Sequence, residues 1–453
     1  MNAWLFFGII IFLVVTLFIF GKRPMYEVMF VAFILLCLIT GNITEVGEYW
    51  MRASKSYLPF TLTGFVVFAV VFEKTGIIND LINIIAALVG RFHGGAGYVA
   101  LLATAAMGSF CGTGPGTAVA TGTVTIPAMK KTGYPPELAA VVSAAGSTLG
   151  PVIPPTAAIP VMFEMLNHVL PGQYSGSQFW MFAWPICLWL VLQRIVTLFF
   201  IVRKMDIQPV PKEDRMTVRE ALKQGWVSLL LPVALFLPFM LGMLFESTFI
   251  TARLGTVAAS HFSAFTLCVV PSFATLFAFI LYKVKGNEVD AKVIFEFVGD
   301  AITAVAPVVV ITFSGYAINE LFADIGVTDA LVGSFTSMHL PKLAVVILGP
   351  LFFTIMGMFI ETSTLYLLFG PVFIPLAISV GVNPMVAAMS VNVMTNAMGQ
   401  LTPPFALCLL VSMSIAEADF KKTSYLAIPW CVAQFIVIVM YLLEWLPMFG
   451  MAV

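Results

Sequence analysis

Apolar residues run along this chain in long blocks separated by short polar joints. Eight of these blocks, at residues 3–20, 25–40, 58–76, 178–202, 226–244, 251–282, 304–322 and 425–446, are long enough to cross about 30 Å of hydrocarbon as helices. The first is followed by "GKRP" without a small-residue cleavage site, and a new apolar block starts at Met25, so it reads as a retained span rather than a signal peptide. Two further regions, 93–166 and 338–415, are apolar but interrupted by Gly, Pro, Ser and Thr. Their pattern is neither the uninterrupted run of a simple span nor the alternation of a strand.

Those two interrupted regions match each other. "GSFCGTGPGTAVATGTVTIPAMKKTGYPPELAAVVSAAGSTLGPVIPP" from Gly108 and "GMFIETSTLYLLFGPVFIPLAISVGVNPMVAAMSVNVMTNAMGQLTPP" from Gly357 keep their landmarks in order. Gly108 pairs with Gly357, Pro127 with Pro375, Gly133 with Gly381, Pro136 with Pro384, Gly150 with Gly399, and Pro154-Pro155 with Pro403-Pro404. Gly108 to Pro154 is as long as Gly357 to Pro403. Shared length and shared punctuation together mark an internal repeat.

Charge fixes how the repeats cross the membrane. If residues 108–116 form the tip of a re-entrant hairpin with arms at 93–107 and 117–129, one face collects Lys22, Arg23, Lys74, Arg91, Lys130, Lys131, the basic run in 203–223, Lys283, Lys285, Lys292, Lys421 and Lys422. The other face keeps Arg52, Lys55, Arg253 and Lys342. The rich face is then cytoplasmic, which puts both termini on the outer, periplasmic side. Three plain spans separate the repeats, so the second unit enters from the opposite side. An inverted-topology repeat is the mark of a secondary transporter with its site near the bilayer midplane. Amphipathic segments at 77–91 and 327–339 precede the hairpins, and are expected to lie along the interface and join a moving part to a static one.

The expected organisation is 1–76 as N-terminal scaffold, 77–176 as the first repeat, 177–303 as scaffold helices with a basic loop at 203–224, 304–416 as the inverted second repeat and 417–453 as a last scaffold helix. The fold class is an all-α polytopic membrane protein with two re-entrant hairpins and two broken helices.

Composition narrows the function. Of 453 residues, 60% are hydrophobic and 10% charged, with 41 Phe and 24 Met, and the mean hydropathy is +1.02. No soluble core hides that much apolar surface. A net charge of -1 leaves no basic surface for nucleic acid. Four scattered histidines and unpaired cysteines form neither a metal set nor a disulfide framework. "GTGPGT" lacks both the Rossmann spacing and the Gly-Lys-Ser/Thr of a phosphate loop, so coupling to an ion gradient is expected instead of a nucleotide. Neither GxSxG nor HExxH is present, which argues against an intramembrane enzyme.

Candidate chemistry lies at the breaks. In "STLGPVIPPT" and "AMGQLTPPF" the prolines remove backbone donors and crowd upstream carbonyls, leaving acceptors around 150–153 and 399–402. At membrane depth such groups persist only where protein, water or a ligand satisfies them. Free carbonyls beside hydroxyls suit a hard cation such as Na+. The hairpin tips add Ser109, Thr113 and Thr117 in the first unit and Glu361, Thr362, Ser363 and Thr364 in the second. Glu361 is the outstanding intramembrane carboxylate, a functional candidate by default as a sodium ligand, a support behind the ion's ligands or a proton site. Arg194, within the span before the basic loop, is a candidate substrate anchor but is expected rather to snorkel or to pair with an acid. Ser147, Thr148, Asn392 and Asn396 face the space between tips and breaks and are candidates for selecting a substrate. Half-helix N-termini beside the breaks favour an anionic one.

The stretches "GTAVATGTVTIPAMKKTGYPPELAAVVSAAGSTLGPVIPP" and "GPVFIPLAISVGVNP...GQLTPPFAL" resemble the large membrane subunit of tripartite ATP-independent periplasmic (TRAP) transporters, over nearly the whole chain. The resemblance implies sodium-driven elevator transport of a small organic anion in a bacterial inner membrane. It also implies a small four-helix membrane subunit and a soluble periplasmic substrate-binding protein as partners. By motif, a first sodium site takes in Ser109, Cys111 and Thr113 at the tip with Gly150, Ile153 and Pro155. A second takes in Glu361, Thr362 and Thr364 with Gly399, Thr402 and Pro404. Cys111-Gly112-Thr113 stands where the family commonly has Ser-Gly-Ser, and Glu361 where aspartate is usual; sulfur is a poor sodium ligand. The alternative within transport is a stand-alone divalent-anion/sodium symporter that needs no binding protein.

Overall fold

The computed structural model describes residues 3–448 except 212, 214, 404 and 405. Three N-terminal helices, α1 (Ala3–Val15, continued by a π-turn to Phe20), α2 (Met25–Thr40) and α3 (Val46–Ser54), lead into a unit of seven. That unit is α4 (Leu58–Lys74), α5 (Ile77–Val89), α6 (Gly95–Cys111), α7 (Gly114–Lys131), α8 (Pro136–Ser147), α9 (Ala158–Val169) and α10 (Gly176–Lys204). After α11 (Val218–Gly225), α12 (Leu230–Phe245) and α13 (Thr251–Val284), the same series recurs. It comprises α14 (Ala291–Asp324), α15 (Val327–Ser337), α16 (Lys342–Gly357), α17 (Thr362–Ser379), α18 (Pro384–Asn392), α19 (Leu407–Ala416) and α20 (Phe420–Leu442). The repeat therefore extends beyond 77–176 and 304–416 to include the long helices on both sides of each unit. By length and composition six helices are able to cross a membrane, and α3 with α4 forms a bent pair that makes up to seven.

Both interrupted regions fold as hairpin plus broken helix. In the first, Thr104 and Thr121 meet hydroxyl to hydroxyl at 2.9 Å across α6 and α7. In the second, the Phe353 and Phe373 rings stand edge to face across α16 and α17. The first tip is tighter than the sequence suggests. Helix continues through Cys111, and α7 already begins at Gly114, because Gly112 takes the left-handed conformation (φ 67°) that closes α6 and Pro115 favours the first turn of α7. Break one is a 3-10 turn at Gly150–Val152, and break two is a π-helical segment at Val393–Gly399.

The units interlock across their breaks. α8 packs on α19, and its counterpart α18 packs on α9, so each broken helix lends one half to the other. α4 lies against α14 on one side of this core. α20, assigned above to the scaffold, instead packs on α8, α10, α16 and α18, and α10 joins it behind the breaks. One set of ion pairs joins Lys285 to Asp80 at 2.7 Å, Lys422 to Glu137 at 3.9 Å and Lys74 to Asp300. Arg52 with Asp324 (2.8 Å) and Lys342 with Glu444 (2.9 Å) form the other set.

Three span boundaries differ from the hydropathy reading. α14 starts at Ala291 rather than 304, and α20 at Phe420 rather than 425, because Asp290 and Asp419 cap them and carry the helix through polar turns that hydropathy discounts. The block at 251–282 is not one helix, since Gly255 (φ 83°, ψ 175°) breaks it and turns the chain so that α13 packs back on α12.

Candidate functional site

Two glycine crossings build the site. A Cβ on Gly108 would lie 2.6 Å from the Gly150 Cα, and a Cβ on Gly357 would lie 2.6 Å from the Gly399 Cα. In each unit, then, the first hairpin arm touches its own break backbone to backbone, which only glycine at both positions allows. These are the four glycines that pair in the sequence repeat.

Both tips converge on one cavity of about 100 Å³. Gly112, Thr113, Gly114 and Pro115 line it from the first tip, and Glu361, Thr362, Ser363 and Tyr366 from the second. Pro151, Asn396 and Gln400 enter from the breaks, and Leu62, Phe65, Val308 and Thr312 close it from α4 and α14. Among the described residues, Glu361 is the sole charged side chain in this lining.

The tips differ in electrostatics. Glu361 caps α17: its carboxylate accepts from the Ser363 and Thr364 backbone N–H groups (2.9 and 3.2 Å) and from the Thr362 and Ser363 hydroxyls (3.0 and 2.7 Å). An N-cap carboxylate is held by the free N–H groups at the helix start and favoured by its dipole. At the first tip Thr113 holds the cap position of α7, yet its side chain makes no capping bond.

The predicted residues divide sharply. Thr113, Glu361, Thr362 and Asn396 line the cavity. Gly150 and Gly399 form the crossings behind it. The Thr364 hydroxyl is buried without a partner, a vacant oxygen beside the capped Glu361. Among the described residues no hydrogen bond reaches the carbonyls of Ile153 or Pro155, which remain available as acceptors. Other hydroxyls are already bonded to backbone: Ser109 to Ala106 O (2.7 Å), Ser147 to Ala144 O (2.9 Å), Thr148 to Ala145 O (3.1 Å), Thr117 to Thr113 O (2.7 Å) and Thr402 to Met398 O (2.8 Å). Such back-bonding is the default of Ser and Thr within helices. Ser147, Thr148 and Asn392 are buried and do not line this cavity. Asn392 donates to Pro151 O (3.2 Å) and accepts from Asn396 (2.8 Å), tying the two breaks together. Pro404 and the Cys111 side chain lie outside the described residues.

Arg194 neither snorkels nor meets an acid. It is fully buried, donating to Gln434, to Ala397 O (3.3 Å) and to Thr148 (3.4 Å). It therefore occupies a carbonyl of break two that lies before the 399–402 acceptors expected from the sequence.

Gln400 is the main residue that the sequence reading passed over. Its amide donates to Thr362 (3.1 Å), its carbonyl accepts from Cys408 (2.6 Å), and a Cβ on Gly114 would lie 2.2 Å from its Oε1. One side chain thus touches both tips from within a break. A polar residue between Gly399 and Leu401, in a segment that must be irregular, was the available signal.

Comparison with known proteins agrees with this architecture. The chain is 25% identical over 424 residues to the sialic acid TRAP transporter large permease protein SiaM of Vibrio cholerae, covering 93% of this chain and 92% of that one. It is 25% identical to the C4-dicarboxylate TRAP transporter large permease protein DctM of the same organism, with coverage of 90% and 89%. Both relatives are transporter permeases, not enzymes. A solved structure described as Neisseria gonorrhoeae MtrF, of a class of antimetabolite efflux pumps, shares the fold with a TM-score of 0.62 at 13% identity, covering 90% of this chain and 85% of that one. Residues 9–448 match the family described as tripartite ATP-independent periplasmic transporter, DctM component, and the chain belongs to that family.

Proposed function

We propose that this large permease subunit imports a small organic anion together with sodium by an elevator movement of the interlocked hairpins and breaks. The observation that carries the reading is the convergence of two glycine-crossed hairpin–break units on one polar cavity whose only lining charge is Glu361. An anion entering there finds no cationic side chain on the wall, so cations must accompany it. Hard oxygen donors are at hand for them: the Thr364 hydroxyl and Glu361 in the second unit, and the Ile153 and Pro155 carbonyls with Thr113 in the first. The uncapped start of α7 and the amides of Asn396 and Gln400 offer donors to a carboxylate or sulfonate.

Sodium is cargo here rather than a resident cofactor. Each ion moving inward through ~100 mV contributes about 2.3 kcal/mol to accumulation. Family membership supports a small membrane subunit and a periplasmic substrate-binding protein as partners, and this disfavours a stand-alone symporter. The bacterial inner membrane, with both termini periplasmic, completes the reading.

The test is uptake by the three-component complex in proteoliposomes, using the anion retained by its binding protein. Uptake should need an inward sodium gradient and cease when choline replaces sodium; an unchanged rate in choline would sink the proposal.

A further inference from the structure

Arg194 carries a charge that the protein itself does not balance. Its guanidinium is fully buried in α10, its Nη2 contacts are Gln434, Thr148 and the Ala397 carbonyl, and its Nε and Nη1 have no hydrogen-bond partner among the described residues. The Trp430 ring, 5.9 Å away, is the other favourable contact. No carboxylate pairs with it among the described residues. An arginine stays protonated in proteins, and an uncompensated buried charge is costly. Such a group inside a membrane protein is retained for a task.

Its neighbours say what that task is. Ala397 adjoins Asn396, which lines the cavity, and Thr148 lies just before Pro151, which lines it from the other break. The guanidinium thus sits one layer behind the wall, within reach of the cavity's electrostatics but not of its contents. We infer that Arg194 is a positioning residue that couples the two cargoes: its fixed positive charge opposes sodium in the empty cavity and is neutralised when the anion arrives. The inference rests on the sodium-coupled reading above. Sodium alone binds weakly, sodium with the anion binds well, and uncoupled sodium passage is suppressed. A fixed unit charge one layer from the cavity, acting through an effective dielectric of about 20, is enough to change an affinity about tenfold.

The test uses sodium as the sole probe, read as the midpoint of the sodium-induced rise in thermal stability of the purified permease complex, with no organic anion present. Arg194→Gln removes the charge, Arg194→Lys keeps it, and Gln434→Glu neutralises it in place by pairing with a guanidinium that stays where it is. Relative to wild type, R194Q and Q434E should each bind sodium about tenfold more tightly and admit more 22Na+ into anion-free vesicles, while R194K stays near wild type. Should R194Q fail to assemble on size exclusion, Q434E carries the test, because the arginine and its packing remain. Wild-type-like sodium midpoints in the charge-neutralised variants, or R194K changing as they do, would overturn the inference and leave the sodium reading standing. A wild-type complex that sodium does not stabilise would instead overturn the sodium reading.

Discussion

The two hairpin tips occupy equivalent places in the repeats and solve the same backbone problem differently. Both must start a helix at membrane depth, where free N–H groups need partners. The second tip supplies its own anion: Glu361 folds over the start of α17 and accepts from two backbone amides. The first supplies none: Gly112 turns the chain in the left-handed region, and Thr113 makes no capping bond to α7. One tip is therefore electrostatically filled and the other open, although the glycine crossings behind them are alike. The repeat fixes the backbone frame, and the tips differ in what they present to the cavity.

The crossings offer the sharpest way to break this comparison. A side chain at any of the four glycines drives backbone from backbone, so Gly108→Val and Gly357→Val should each reduce uptake on the order of a hundredfold, overpacking of a close-packed interior being the cause. Uptake measured beside size-exclusion profiles checks it; a tolerant Gly357 would mean that the units are not equivalent.

Replacing the charge at the filled tip comes next. Glu361→Gln keeps the shape of the cap and removes its charge, and the sodium concentration for half-maximal uptake should rise at least ~10-fold, since an oxygen-ligated cation loses its nearest carboxylate. A sodium titration of initial rates reads this directly.

At the interface of the two tips, Gln400→Leu removes the amide bond to Thr362 and leaves the Cys408 thiol without its acceptor. The apparent affinity for the anion should weaken roughly 10-fold, the usual effect of losing one or two buried hydrogen bonds, with assembly intact.

The open tip depends on backbone freedom rather than space. Nothing lies within 4 Å of a Cβ built on Gly112, but its φ is 67°. Gly112→Val should cost about 1–2 kcal/mol and lower sodium-dependent uptake, whereas Gly112→Asn, tolerant of that region, should come close to wild type. Smallest of all, Thr125→Val should barely change uptake, because that hydroxyl bonds its own helix at Thr121 O.

Much of this was legible in the chain because Gly and Pro at fixed spacing dictate breaks wherever hydropathy alone would predict spans. Hairpins, broken helices and inverted order follow from that punctuation together with charge asymmetry. Helix starts such as Ala291 were hidden, since capping by Asp290 acts on polar turns that an apolar window ignores. Side-chain destinations were hidden too. Ser109, Ser147 and Thr402 each donate to an oxygen three or four residues back in its own segment, which residue type does not reveal. Gln400 and Arg194 acquire their roles from partners as distant in sequence as Thr362 and Ala397, contacts that a linear pattern does not contain.

The most direct test of the proposed sodium sites, one in each unit, is thermal unfolding of the purified complex titrated with sodium chloride against choline chloride. The account predicts a saturable, sodium-specific rise in Tm for the wild type, shifted to higher sodium both by Thr113→Val at the open tip and by Thr364→Val at the filled one. A midpoint that follows ionic strength alone, or one that neither substitution moves, would contradict it.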